Sequence, residues 1–81
     1  MPIVLRINGY LFWFFSNENN EPPHIHIKKG GATAKYWLTD IEEEYSYGFT
    51  VRERRDIRVI IQKHLNLLLE KWNEGKRKNS R

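Results

Sequence analysis

The feature that most constrains the fold is an Asn-Gly pair between two short runs of β-branched and aromatic residues. Asn8-Gly9 separates residues 3–7 from residues 10–15. A type I′ turn needs positive φ at both central residues, which Asn-Gly adopts readily. The sequence therefore predicts a two-residue β-hairpin. Its register places a wholly apolar set on one face, namely Ile3, Leu5, Ile7, Tyr10, Phe12 and Phe14.

A second hairpin is predicted around Gly30-Gly31, between residues 24–28 and 33–38. Antiparallel pairing across this turn makes His24 face Trp37 and His26 face Lys35. One face is apolar and is predicted to be core, and it comprises Ile25, Ile27, Ala34, Tyr36 and Leu38. The opposite face is basic, aromatic and titratable, and it comprises His24, His26, Lys28, Thr33, Lys35 and Trp37.

One long helix is predicted over residues 51–74. Thr50 and Glu53 have the spacing of a capping box, and Gly75 is a stop signal. Apolar residues recur at helical spacing and form one stripe: Ile57, Ile60, Ile61, Leu65, Leu68 and Trp72. The predicted fold class is therefore α+β, with a four-stranded antiparallel sheet of two hairpins packed on one long C-terminal helix.

Residues 39–49 are predicted to connect the second hairpin to the helix. The segment contains the acidic block of the chain, Asp40-Ile41-Glu42-Glu43-Glu44. The aromatic residues that follow, Tyr45, Tyr47 and Phe49, either dock on the sheet or form a short strand. Before the second hairpin, residues 16–21 are predicted to be a polar loop, and Pro22-Pro23 gives the first strand of that hairpin an extended entry.

Size and charge indicate one small domain. The 81 residues include no cysteine, which excludes disulfides and thiolate metal sites. Four of the 14 Lys and Arg residues lie in residues 76–81, which leaves ten positive and ten negative charges in residues 1–75. We therefore expect a single α+β domain over residues 1–75 and a disordered basic tail over residues 76–81.

Neither a membrane span nor a signal peptide is predicted. The longest apolar run, residues 11–15, is far shorter than the roughly 20 residues that a membrane helix needs. The first residues lack a basic segment followed by an apolar one. We therefore expect a cytoplasmic protein without a membrane partner.

One helix can cover only one face of a sheet, so the other face is expected to be open if both hairpins join one sheet with matching faces. The residues expected to bind a partner there are His24, His26, Lys28, Lys35, Trp37, Trp13 and Arg6. Two tryptophans on an exposed surface are typical of a binding surface.

Four segments of the chain have the pattern of a known family: Pro22-Pro23-His24-Ile25-His26-Ile27, Ala34-Lys35-Tyr36-Trp37-Leu38, Gly48-Phe49-Thr50 and Leu68-Leu69-Glu70-Lys71-Trp72-Asn73-Glu74. Together they resemble domain of unknown function 4160, a family of small prokaryotic proteins. The resemblance implies a component of a two-gene, toxin–antitoxin-like system and no settled activity. The basic tail departs from the family's usual short ending.

Protein association is the role that the open face favours. The expected partner is a second copy, giving a homodimer, or a small protein encoded in the same operon. RNA binding is an alternative, because aromatic rings beside cations can stack bases and contact phosphates.

A metal-independent ribonuclease is a further alternative, with His24, His26 and Lys35 as candidate catalytic residues. The sequence favours an interaction module over an enzyme, since histidines and lysines often share a surface without catalysis. The histidines could also be structural residues that hydrogen-bond to neighbours while the tryptophans pack against residues 39–49.

A metal site is the last alternative. His24 and His26 lie on one side of a strand about 7 Å apart, but no third ligand has a recognisable spacing. The candidates for that ligand are Glu18, Glu21 and residues 40–44. We therefore expect neither a metal nor another cofactor.

Overall fold

The computed structural model describes residues 3–14 and 21–79, with side chains up to Glu74, as five strands followed by two helices. The strands are β1 (Ile3–Ile7), β2 (Tyr10–Trp13), β3 (His24–Lys29), β4 (Ala32–Trp37) and β5 (Glu42–Tyr47). The helices are α1 (Val51–Lys63) and α2 (Leu65–Asn79). Each strand pairs antiparallel with its neighbour in the sequence, so the sheet order is β1-β2-β3-β4-β5.

The α+β class is confirmed, but the predicted count of four strands is wrong because residues 42–47 form β5 along the edge of β4. Glutamate has a low strand propensity, so the acidic block gives little local signal for a strand. Hydrogen bonds to other elements hold this strand in place. Trp37 Nε1 donates to Glu44 Oε1 over 3.0 Å, and Glu43 is held by β4 and α1.

A clamp of three side chains joins β4, β5 and α1. Arg54 donates from Nε and Nη2 to the two carboxylate oxygens of Glu43, over 2.7 and 2.9 Å. The hydroxyl of Tyr36 donates to Glu43 Oε1 over 3.0 Å. Burial, and then the Glu43 carboxylate, raise the pKa of Tyr36 to about 12. We call these three residues the Glu43 clamp.

The prediction of one long helix is also wrong, because the helix is interrupted at His64. This residue has φ −114° and ψ 19°, outside the α-helical region. His64 keeps backbone hydrogen bonds to both helices, since its N–H donates to Ile60 O and its carbonyl oxygen accepts from Leu68 N–H. The predicted end at Gly75 is wrong as well, because α2 extends to Asn79. A glycine inside a helix costs only about 1 kcal/mol, so it need not end one.

The first hairpin has the predicted turn. Asn8 has φ 53° and Gly9 has φ 85°, as a type I′ turn requires. Two of the three predicted cross-strand pairs are confirmed: Ile7 with Tyr10 and Leu5 with Phe12.

The third pair of this hairpin is wrong. A register shift between Ile3 and Leu5 makes Ile3 pair with Trp13 instead of Phe14. β1 is an edge strand, where such irregularities are common, and Ile3 is 42% exposed rather than core.

The core lies between the helices and one face of the sheet. The second hairpin has the predicted register, and all five of its predicted core residues are buried. The buried apolar residues are Tyr10, Phe12, Phe14, Ile25, Ile27, Ala34, Tyr36, Leu38, Ile57, Ile60, Ile61, Leu68 and Trp72. Removal of these apolar side chains from water is the main force that holds α1 and α2 on the sheet.

Some predictions lie outside the described residues: the strand end at Phe15, the ligand candidate Glu18 and the loop over residues 16–20. The division of the chain at residue 75 stays a prediction. Across residues 3–14 and 21–79, neither helix has the length and apolar character needed to cross a membrane.

Candidate functional site

The face of the sheet turned away from α1 carries the residues that the sequence predicts for binding. β2 pairs with β3, so both hairpins join one sheet with matching faces. Trp13, His26, Lys35 and Tyr45 form one row across four strands. We define the aromatic–basic face as Arg6, Trp13, His24, His26, Lys28, Lys35, Trp37, Tyr45 and Tyr47.

The two histidines of this face are buried. His24 has no exposed surface, and His26 is 5% exposed. Their rings lie nearly perpendicular, with centroids 5.2 Å apart. The predicted binding pair therefore lies beneath the surface of the face.

Three tryptophan rings pack around the histidines. Trp13 stacks on His26 with centroids 5.6 Å apart, and Trp37 lies edge-on to His24 at 5.5 Å. The ring centroid of Trp72, on α2, lies 4.9 Å from the ring centroid of His24. We call these five residues the histidine–tryptophan cluster. It links the aromatic–basic face to α2, a contact that the sequence analysis missed because it placed Trp72 only in the core stripe.

The proline pair positions the cluster. The Nδ1 atom of His24 lies 3.0 Å from the carbonyl oxygen of Pro22. Because a carbonyl oxygen only accepts, Nδ1 carries the proton in this hydrogen bond. The carbonyl oxygen of Pro23 accepts from Leu38 N–H over 2.9 Å. The stretch before β3 therefore fixes the orientation of the His24 ring and the end of β4.

Lys35 is held by its neighbours. Its ammonium lies 2.8 Å from Glu21 Oε1 and 4.6 Å from the ring centroid of Trp37. The same carboxylate of Glu21 lies 3.6 Å from His24 Nδ1. These contacts place a compact set of charges at one end of the cluster.

The surface that remains accessible is aromatic with two exposed cations. Arg6 and Lys28 are exposed, whereas Trp13, Trp37 and Tyr45 are half-buried. Tyr47 is 66% exposed and stacks on Tyr45 with centroids 5.3 Å apart. The two tyrosines were not predicted as site residues. Their period-two spacing after the acidic block is the signal that could have placed them on one face of a strand.

The metal alternative gains no ligand set from the part of the chain that the structure describes. Within it, no group of three or more His, Asp or Glu side chains is placed to hold one ion. His24 and His26 pack with aromatic rings, and Glu21 contacts Lys35.

Comparison with family models identifies a domain of unknown function (DUF4160) over residues 9–73. No curated protein and no solved structure matches the chain. The matched range contains β2 to β5, all of α1 and the whole histidine–tryptophan cluster. Because the match covers far more than half of the chain and includes the elements that form the site, this protein belongs to the DUF4160 family.

Proposed function

We propose that this protein is a cytoplasmic binding module that associates with another small protein through its aromatic–basic face, as one component of a two-protein, toxin–antitoxin-like system. The observation that carries the proposal is the group of accessible aromatic rings on β2, β4 and β5. Trp13, Trp37 and Tyr45 are half-buried, and Tyr47 is mostly exposed. Trp and Tyr are the residues most enriched at the energetic centres of protein interfaces.

The rings are held before any partner arrives, which favours binding. Trp13 rests on His26, and Trp37 is fixed by its hydrogen bond to Glu44 and by the Lys35 ammonium. A ring that is already ordered loses little conformational entropy when it is covered. The buried histidines therefore act as positioning residues for the tryptophans.

Charge gives the proposed partner a chemical character. Arg6 and Lys28 are exposed on the aromatic–basic face, so a complementary surface is apolar with acidic residues near its rim. Glu42, exposed on β5, is an acidic residue that a second copy could offer to these cations. Homodimerisation is therefore an outcome that the test below distinguishes.

Catalysis is not part of the proposal. A general base must come within about 2.6–3.2 Å of the proton that it removes, directly or through one water. His24 and His26 lie beneath other rings, and the ammonium of Lys35 contacts Glu21. The burial of the two histidines and the ion pair between Lys35 and Glu21 favour a structural role for all three.

Single-stranded RNA is the second candidate ligand. The exposed ring of Tyr47, stacked on Tyr45, provides a platform for a base, and Lys28 lies in the same region of the sheet on β3. Stacking of one base on an aromatic side chain is worth about 1–3 kcal/mol. The near-neutral charge of residues 1–75 makes this candidate weaker than a protein partner.

The test is co-purification of the tagged protein with the protein encoded beside its gene, followed by titration of the purified pair. Tyr47→Ser is expected to weaken the complex at least tenfold, because it removes the most exposed ring of the face. Val59→Ser is the matched control, since Val59 is 47% exposed on α1. The control should bind within a factor of two of the wild type.

Sedimentation and RNA titration complete the test. A dimer that Tyr47→Ser dissociates identifies a second copy as the occupant of the face. RNA binding that Tyr47→Ser abolishes, without any protein complex, supports the second candidate instead. If the pair forms equally well with Tyr47→Ser and Val59→Ser, the proposed use of the aromatic–basic face is wrong.

A further inference from the structure

A cavity of about 220 Å³ lies on the helix side of the sheet, away from the aromatic–basic face. Its lining residues come from β4, β5 and the first half of α1: Tyr36, Glu43, Val51, Arg54, Arg55 and Arg58. It is an open groove rather than an enclosed void, because Val51, Arg54, Arg55 and Arg58 are all exposed. Its volume is about 220 Å³. This is less than the roughly 300 Å³ of sites that enclose whole ligands, so the cavity suits the end group of a molecule.

The cavity has an excess of positive charge. Three guanidinium groups line it together with a single carboxylate, which leaves a formal charge of +2. That carboxylate belongs to Glu43, and Arg54 donates one hydrogen bond to each of its two oxygens. The two remaining arginines supply the excess charge.

Arg55 and Arg58 have no ion pair or hydrogen bond among the side chains of residues 3–14 and 21–74. Residues three apart on a helix are neighbours, and like charges at this spacing repel. An anion between the two guanidiniums would relieve the repulsion and accept charge-assisted hydrogen bonds from both.

The rest of the lining favours a carboxylate with an apolar group. Val51 is 62% exposed and provides an apolar wall beside the ring of Tyr36. An inorganic phosphate has no apolar group to place against this wall, whereas a carboxylate can carry one. Glu43 itself is held by Arg54 in the bidentate geometry that arginine uses for carboxylates.

We propose that this cavity is a binding site for a carboxylate that carries a small apolar group, with Arg55 and Arg58 as its anion-binding residues and Val51 as its apolar contact. Both a free organic acid and the end or acidic side chain of a peptide have this chemistry. The site is separate from the aromatic–basic face and does not depend on the function proposed for that face.

The probe is N-acetyl-leucine, titrated into the isotope-labelled full chain while backbone amide shifts are recorded. Its uncharged counterpart, N-acetylleucinamide, is the matched ligand. We expect saturable shifts within residues 51–58 for the acid and none there for the amide. The double variant R55Q/R58Q is expected to weaken binding of the acid at least tenfold, because it removes both anion-binding groups.

The matched control variant is R52Q/K63Q, which removes two charges from the same helix at positions that do not line the cavity. It should bind within a factor of two of the wild type, and both variants should melt as the wild type does. Equal binding of acid and amide overturns the proposal, as does an equal loss in the control variant or the absence of saturable shifts with the acid.

Two further measurements, competition with inorganic phosphate and a comparison of short peptides, test the chemistry of the ligand. Inorganic phosphate that displaces N-acetyl-leucine at an equal or lower concentration overturns the choice of a carboxylate. Short peptides that end in leucine, as the free acid or as the amide, are compared with a peptide that has an internal glutamate. Tighter binding of the free-acid peptide identifies a chain terminus as the source, and tighter binding of the glutamate peptide identifies an acidic side chain.

Discussion

Among single residues, His24 and Tyr36 are polar side chains with no exposed surface. Each has a hydrogen-bond partner within its own sheet or beside it: the carbonyl oxygen of Pro22 for His24, and Glu43 for Tyr36. A buried polar group without a partner would cost about 1–3 kcal/mol. These partners explain how the fold tolerates two polar groups at such depth.

His24→Ala is expected to destabilise the protein by about 2–4 kcal/mol, because it removes a buried ring that contacts His26, Trp37 and Trp72. Urea unfolding measures the change. Lys28→Ala, an exposed substitution on the same face, should stay within about 0.5 kcal/mol of the wild type. An unchanged midpoint for His24→Ala would contradict the structural role of the ring.

Tyr36→Phe is expected to cost about 1 kcal/mol near pH 7, because it removes the hydrogen bond to Glu43. For a domain of this size, such a loss lowers the melting temperature by about 4–8 °C. Tyr47→Phe is the control, since that ring is 66% exposed and its change should leave the melting temperature unaltered.

The raised pKa of Tyr36 predicts that the stability of the protein depends on pH. The pKa of Tyr36 is about 12 in the folded protein and about 10 in an unfolded chain. Above pH 10 the unfolded state therefore loses a proton that the folded state keeps, so the stability that this residue contributes falls as pH rises toward 12. Urea unfolding from pH 9 to 11 should show a steeper loss for the wild type than for Tyr36→Phe, and parallel slopes would refute the assignment.

For the two histidines, the sequence indicates which residues they face but not that they are buried. The pairs His24–Trp37 and His26–Lys35 follow from the length of one turn, and the structure has both. The burial of the histidines depends in part on Trp72, which arrives from α2. Contacts of that kind are set by tertiary packing and leave no periodic signal near the histidines.

At the scale of elements, the connection between β5 and α1 does not readily accept a side chain at Gly48. Gly48 has φ +88°, and a Cβ atom there would lie 3.1 Å from Ala32 Cβ and 3.2 Å from its Cα. An L-residue in the left-handed region costs about 1–2 kcal/mol before any close contact is counted. This residue therefore fixes where the last strand ends and the first helix approaches.

Gly48→Ala is expected to destabilise the protein by at least about 1–2 kcal/mol, since it combines backbone strain with a close contact to Ala32. Gly31→Ala is the matched control, because a Cβ atom there meets no other atom within 4 Å and its φ is not positive. Thermal unfolding of the two variants should separate them clearly. Similar melting temperatures would show that the connection is more adaptable than this geometry implies.

Elements with strong local signals were predictable. Asn8-Gly9 and the capping box of Thr50 and Glu53 are both present as predicted. β5 was not predictable to the same degree, because its register depends on bonds from Glu43 to α1 and from Glu44 to β4. The break at His64 also lacked a signal, since neither proline nor glycine lies there.

At the scale of the whole molecule, the sheet is a meander in which each strand pairs only with its neighbours in the sequence. α1 follows β5 directly in the chain and packs on the sheet. The predicted α+β class therefore needed only local information about turns and periodicity. The fifth strand and the break at His64 lacked a local signal of this kind.

This topology predicts fast folding. Domains dominated by contacts between nearby elements usually fold in microseconds to milliseconds, whereas those with distant strand pairings need up to seconds. Stopped-flow refolding from urea should therefore give a main phase complete within milliseconds. A dominant phase of seconds would contradict this prediction.

The Glu43 clamp also has a consequence for how the molecule opens. Release of β5 from the edge of the sheet would leave the Arg54 guanidinium and the Tyr36 hydroxyl without their acceptor, the Glu43 carboxylate. Unwinding the start of α1 would in turn remove the two hydrogen bonds that Arg54 donates to the Glu43 carboxylate. We therefore expect β5 and the first half of α1 to open as one cooperative unit. Their backbone amides should then have similar hydrogen-exchange protection.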